Sequence, residues 1–426
     1  MFRTSLPRGI GKSLSRTALA VALASGMALG GAAISTPAVA KDAKGGTNSK
    51  AFAEAYTPLQ TALANATPDY AAAKGLVPGI VATVQTPHDK FVLGGALVKL
   101  GDKLNDTAME KQGVHLILDS GESDPANLGL LHFYLGKFAM DEKDFATART
   151  EFQASAAAGY KEVDPEALIA ETYFGNNQNA EGLTYLSNLI AKRKAAGVAV
   201  PDNWYARGLA VAFNAKLVPQ GNEYARALLA NNASQENWAK AFTAVVLLNR
   251  FDAQSQLDLM RLMRLTGAMT QRQQYAEYVD DTTKYALANE TLAVLKEAAD
   301  KGLLPATDPL YIEARTTALK TADSDRKETP GVVAEARAAK DGRVAFGAGN
   351  AFYSFGDYAN AEAMFKLAVD KGVPEKDLAL IREGMAQIQQ GKFAEGQATL
   401  AQVSGARAPV AQLWSAYAAA KGGAKA

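Results

Sequence analysis

The chain has 426 residues, 48% hydrophobic and 21% charged, with a formal net charge of +1. That balance supplies enough apolar surface for folded cores and excludes a disordered chain. It contains no cysteine, which excludes a disulfide framework, a thiolate metal site and a cysteine nucleophile, and leaves packing to provide stability.

In chain order, the first forty residues stand apart. Arg3, Arg8, Lys12 and Arg16 precede an apolar run from Ala18 to Leu29 that is interrupted by Gly26, and Ala38-Val39-Ala40 follows as a small-x-small cleavage pattern. This reads as a secretory signal peptide cut after Ala40. Its loss removes four positive charges and takes the net charge from +1 to about −3. A near-neutral surface disfavours nucleic-acid binding. No later stretch approaches eighteen uninterrupted apolar residues, so no transmembrane helix is expected in the mature chain, and the periplasm of a Gram-negative bacterium is the expected location.

Residues 41–50 are small and polar, a flexible lead-in. Helical patterning begins near Phe52. Alanine, leucine, glutamate and lysine dominate from there, without the alternation of strands, so the fold is expected to be all-α. Residues 51–229 read as an N-terminal helical array. Within it, 51–125 form hairpins lacking a clear signature. Leu135-Gly136, Asp144-Phe145, Ala148 and Phe152 mark a well-defined unit closed by Gly159 and Pro165, 166–197 read as a degenerate copy, and a further unit starts at Trp204 with Gly208, Tyr224 and Ala227. Residues 230–335 read as a degenerate helical region that ends in the polar stretch Thr321 to Gly331, expected as a linker or mobile loop. Residues 336–420 form a C-terminal hairpin pair, and 421–426 a frayed tail.

In that pair, Gly349, Phe352, Gly356-Asp357-Tyr358, Ala361, Phe365 and Ala368 repeat the spacing of the front unit, and Gly391-Lys392-Phe393 repeats the turn 35 residues after Gly356. On these residues the chain resembles the tetratricopeptide repeat (TPR) family, whose period is about 34 residues. The resemblance implies an α-solenoid of antiparallel helix hairpins in which small residues admit the partner helix and aromatics fill the space beside them.

Reactive constellations are sparse. His88 sits in an expected turn, His115 at the edge of a packing face, and His132 where the repeat packs an aromatic; no two have zinc-site spacing. Gly9-Ile10-Gly11-Lys12-Ser13 lacks the first glycine of a phosphate loop, and Gly347-Ala348-Gly349 lacks the third glycine of a dinucleotide fingerprint. Asp280-Asp281 and Glu375 with Asp377 read as surface charge. Met260, Leu262, Met263 and Leu265 read as a core stripe with Arg261 and Arg264 exposed between them. No catalytic residue, metal or cofactor is expected.

The resemblance places the site on the concave face, where the first helix of each unit faces the groove. Its groove positions carry over to Arg343, Phe346, Asn350 and Tyr353, to Phe133, Lys137 and Asp141, and to Tyr205. Aromatics beside arginine or asparagine suit capture of a peptide or helix, and packing against neighbouring repeats is the other reading of the same residues. The groove that grips a C-terminal carboxylate elsewhere in the family has a lysine where this chain has Phe346. The expected function is a non-catalytic periplasmic scaffold that binds a protein or peptide. The alternative is an accessory protein that holds a small ligand or polysaccharide in the middle region.

Overall fold

The structure, a computed structural model, describes residues 46–423. The signal peptide and its cleavage at Ala40 lie outside the described residues. The described chain folds into twenty α-helices and one short 3₁₀ turn, with no strand. The all-α expectation holds.

Contacts divide the chain between Lys192 and Arg193. The first unit holds α1 (Lys50–Ala64), α2 (Tyr70–Val81), α3 (Pro87–Leu104), α4 (Thr107–Ser120), α5 (Pro125–Asp141), α6 (Phe145–Ala157), α7 (Pro165–Gly175) and most of α8 (Asn179–Ala195). The second holds α9 (Asp202–Asn214), α10 (Val218–Asn231), α11 (Gln235–Leu248), α12 (Ala253–Leu265), α13 (Arg272–Lys284), α14 (Ala288–Asp300) and α15 (Pro309–Ala338). It continues with α16 (Arg343–Ser354), α17 (Tyr358–Asp370), α18 (Lys376–Gln389), α19 (Phe393–Leu400) and α20 (Ala408–Gly422).

The helices begin where short acceptor side chains meet unsatisfied backbone N–H groups. Asp124, Asp164 and Asp308 each cap a helix whose first residue is proline, which has no N–H to satisfy and a φ already suited to the helix. Thr86 and Asp89 form a reciprocal capping box on α3. His88, expected in a turn, therefore lies in the first turn of α3, with Nδ1 2.7 Å from Glu122.

The hairpins are built by small-on-large packing. A Cβ added to Gly136 would meet the Phe152 ring at 2.6 Å, and the same holds for Gly349 on Phe365 at 2.7 Å, Gly208 on Tyr224 at 2.1 Å and Gly384 on the Leu400 side chain at 2.7 Å. In all four pairs the residues are sixteen positions apart. A helix can approach that closely only where its own Cβ is missing. Gly356 and Gly391, expected to stop the first helix of their units, take φ of +79° and +77°. The same left-handed turn recurs at Lys143, Asn177, Lys216 and Ala286, where no glycine marks it. Of these, Ala286 lies within 230–335, at the turn between α13 and α14.

Thr321 to Gly331, expected as a linker or loop, is instead the interior of α15. Ala314, Ala318 and Ala322 recur every four residues along it and are buried, with Ala318 and Ala322 packed against Ala288 and Leu292. This small apolar stripe docks the first half of the helix, and the charged residues of 321–331 lie mostly on its exposed faces.

Within the second unit the C-terminal hairpins turn back onto earlier helices. Helix α20 packs against α10 and α12, and α18 also reaches α12. The Trp414 indole donates to the Asp258 carbonyl at 3.0 Å, 156 residues away in the chain.

Candidate binding site

The contact between α12 and the C-terminal hairpins contains a buried polar cluster. Asp258, Arg261 and Arg382 are 0%, 3% and 2% exposed. Arg261 donates through Nε and Nη2 to the two oxygens of Glu290 at 2.8 and 2.7 Å, and through Nη1 to Asp258 at 2.7 Å. Arg382 donates through Nε to Asp258 at 3.2 Å, through Nη1 to the Asn350 carbonyl oxygen at 2.7 Å, and through Nη2 to Gln254. The Tyr278 hydroxyl donates to Glu290 at 2.7 Å. Two carboxylates thus face two guanidiniums, and the cluster is neutral as a whole. That balance lets it stay buried.

Burial opposes ionisation of Arg261 and Glu290, but their mutual charge and hydrogen bonds outweigh it. Arg261 is held well above its ordinary range, and Glu290 below the usual carboxylate range. Arg382 shifts down, from burial first and with the Arg261 charge adding to it.

A cavity of about 530 Å³ opens onto this cluster, walled by α12, α13, α14, α15, α16, the α16–α17 turn, the start of α17 and α18. Arg261, Arg264, Arg326, Glu290, Glu297, Tyr353 and Tyr358 are among its lining residues. Glu297 accepts from the Tyr275 hydroxyl at 2.7 Å, from Lys301 at 2.8 Å and from Arg264 Nε at 2.6 Å. Burial would raise its pKa, but these hydrogen bonds overcome that and bring it down to about 2. An unfolded glutamate titrates near pH ~4.3, so the stabilisation is complete above that value and is lost as the pH falls towards 2. Glu297→Gln is therefore expected to cost on the order of 2 kcal/mol at pH 7 and progressively less below pH ~4. Urea unfolding of parent and variant at pH 7 and pH 3 checks this; a gap of constant size would show that the charge of Glu297 has no part in it.

The expected groove residues fall into different environments. On α16, Asn350 and Tyr353 come together at the buried cluster: Asn350 accepts from Arg382, and Tyr353 is buried with its ring 4.7 Å from the Arg261 guanidinium. Burial pushes the Tyr353 hydroxyl well above its usual pKa. Phe346 is half-buried, 5.8 Å from Phe365 and 5.4 Å from the Arg382 guanidinium. Arg343 lies outside this group, exposed and paired with Asp341. In the first unit, Phe133 is buried against Phe152 and Tyr160, Lys137 is half-buried and Asp141 is exposed. Tyr205 is also buried, with a hydroxyl that finds no hydrogen-bond partner among the described residues. Phe133, Tyr205 and Tyr353 thus serve as core, because their rings fill the space beside neighbouring helices. His132 is half-buried with Nδ1 2.7 Å from Glu151.

Arg261, expected to be exposed, is buried. Asp258 lies one helical turn before it on the same face, and that i, i+3 carboxylate was the available signal. Glu290 and Arg382 were not foreseen, since they meet Arg261 and Asp258 only through tertiary packing. Among the described residues no group of three or more metal-ligating side chains comes together. No helix there is long and apolar enough to cross a membrane.

No protein-family model matches the chain, and no curated protein does. Among solved structures it is similar to the TPR2AB-domain:pHSP90 complex of yeast Sti1, at 16% identity, with 69% of this chain and 99% of that chain covered and a TM-score of 0.25. The hairpin geometry described above stands on the chain's own residues.

Proposed function

We propose that the chain is a non-catalytic helical-repeat scaffold that binds another polypeptide, and that it works in the periplasm after export on the leader read in residues 1–40. The observation that carries this reading is the cavity of the second unit. Its walls combine the guanidiniums of Arg264 and Arg326 with the rings of Phe355 and Tyr358, the residue types that anchor protein interfaces. Its carboxylates, Glu290 and Glu297, are engaged in ion pairs, an arrangement that grips and positions rather than transfers protons.

The test is capture from an envelope extract with the chain from Lys41 and with Arg326→Ala/Tyr358→Ala. Neither residue hydrogen-bonds to the buried cluster, whereas Asn350 accepts from Arg382 and Tyr353 packs on Arg261. A protein retained by the parent and lost by the folded variant is the expected result. Equal retention by both removes the cavity as the polypeptide site. The cavity volume also falls in the range of small-molecule sites, about 300–1,000 Å³. If no protein is retained at all, the small-ligand reading takes its place.

A further inference from the structure

We infer that the cavity of the second unit takes an anionic oxygen group, a carboxylate or a phosphate, held between Arg264 and Arg326. The inference rests on the cavity being a recognition site. It does not depend on whether the ligand is a polypeptide or a small molecule.

The hydrogen-bonding inventory of the wall points to this chemistry. Its carboxylates are engaged. Both oxygens of Glu290 are taken by Arg261, with Tyr278 adding to one of them, and both oxygens of Glu297 are taken by Arg264, Lys301 and Tyr275. Its donors are not. Arg264 uses only Nε, so its two terminal nitrogens make no hydrogen bond among the described residues. Arg326 likewise donates only through Nε, to the Asn289 carbonyl oxygen at 2.6 Å, and no carboxylate of the described residues pairs with it. Two guanidinium groups therefore line the cavity with terminal N–H groups to give and no lining carboxylate left unengaged to receive them.

Charge agrees with this count. Arg261, Arg264, Arg382 and Lys301 face only the three carboxylates of Asp258, Glu290 and Glu297, and Arg326 adds a further positive charge with no carboxylate of the described residues within ion-pair reach. Phe355 supports the Arg326 guanidinium from 5.3 Å and orients it without satisfying it. A neutral ligand could accept hydrogen bonds but would leave the excess positive charge uncompensated on desolvation, and a cation would be repelled.

The probes are benzoate, phenyl phosphate and neutral benzamide, titrated calorimetrically into the chain from Lys41. One or both anions are expected to bind saturably while benzamide does not, and the stronger anion identifies the head group. Arg326→Ala should weaken that binding at least tenfold. Asn289→Asp, which places a carboxylate beside Arg326, should abolish it, with melting curves confirming that both variants fold. Benzamide binding as well as the anions, no saturable binding of either anion, or unchanged affinity in folded Arg326→Ala overturns the proposal. Failure to capture a protein while the anions still bind would remove the polypeptide reading and leave this one standing.

Discussion

Replacing Arg382 with alanine is expected to destabilise the second unit by about 3–5 kcal/mol, the cost of breaking a buried ion pair from one side. The guanidinium spans three helices: it meets Asp258 and Gln254 on or beside α12, and Asn350 on α16, from its own place on α18. Its removal leaves Asp258 and Glu290 facing Arg261 alone and the Asn350 and Gln254 oxygens without their donor. Hydrogen exchange should show loss of protection in 253–265, 343–354 and 376–389 together, while 50–192 keeps its rates. The pairing can be isolated by Arg382→Met with Asp258→Asn, which leaves a balanced Arg261–Glu290 pair. That double variant should cost less than the two single changes added together. Simple additivity would mean that Arg382 acts by volume and not by charge.

The second large effect is expected at the α3–α4 contact of the first unit. A Cβ on Gly113 would lie 2.6 Å from the Gly94 carbonyl oxygen and 2.8 Å from the Val98 nitrogen, and a Cβ on Gly94 would lie 2.7 Å from the Gly113 carbonyl oxygen. These obstacles are backbone and cannot rotate away, so the helices themselves must separate. Gly113→Ala should therefore cost about 3 kcal/mol, at the upper end for overpacking. Gly75→Ala supplies the contrast. Gly75 also sits within a helix, but its added Cβ meets nothing within 4 Å, so alanine there should stabilise by about 0.5–1 kcal/mol through helix propensity. Thermal melts of the two variants should move in opposite directions. A fall in both would mean that the glycines of this unit serve something other than close approach.

Local chemistry made much of the architecture readable from sequence. Gly356 and Gly391 mark turns because a left-handed backbone favours a residue without Cβ. Gly136 with Phe152 and Gly349 with Phe365 mark hairpins because one side chain fills the space another leaves open. Where those needs were met by less obvious residues, the signal was lost. Lys143, Lys216 and Ala286 take the same left-handed turn, with the local strain borne by surrounding packing. The Gly94–Gly113 contact belongs to no recognised spacing, and the charged face of α15 concealed the alanine stripe that docks it.

The site was legible only in part. Sequence determined that Phe346, Asn350 and Tyr353 share a face of one helix, because 3.6-residue periodicity is a local property. Whether that face is open or filled depends on Arg382 and on Asp258, which lie 124 residues apart in the chain. Their meeting is decided by the way α18 and α20 return to α12. A buried charge is stable only when its partner is already in place, and no local pattern specifies a partner that distant; the tertiary structure alone supplied it.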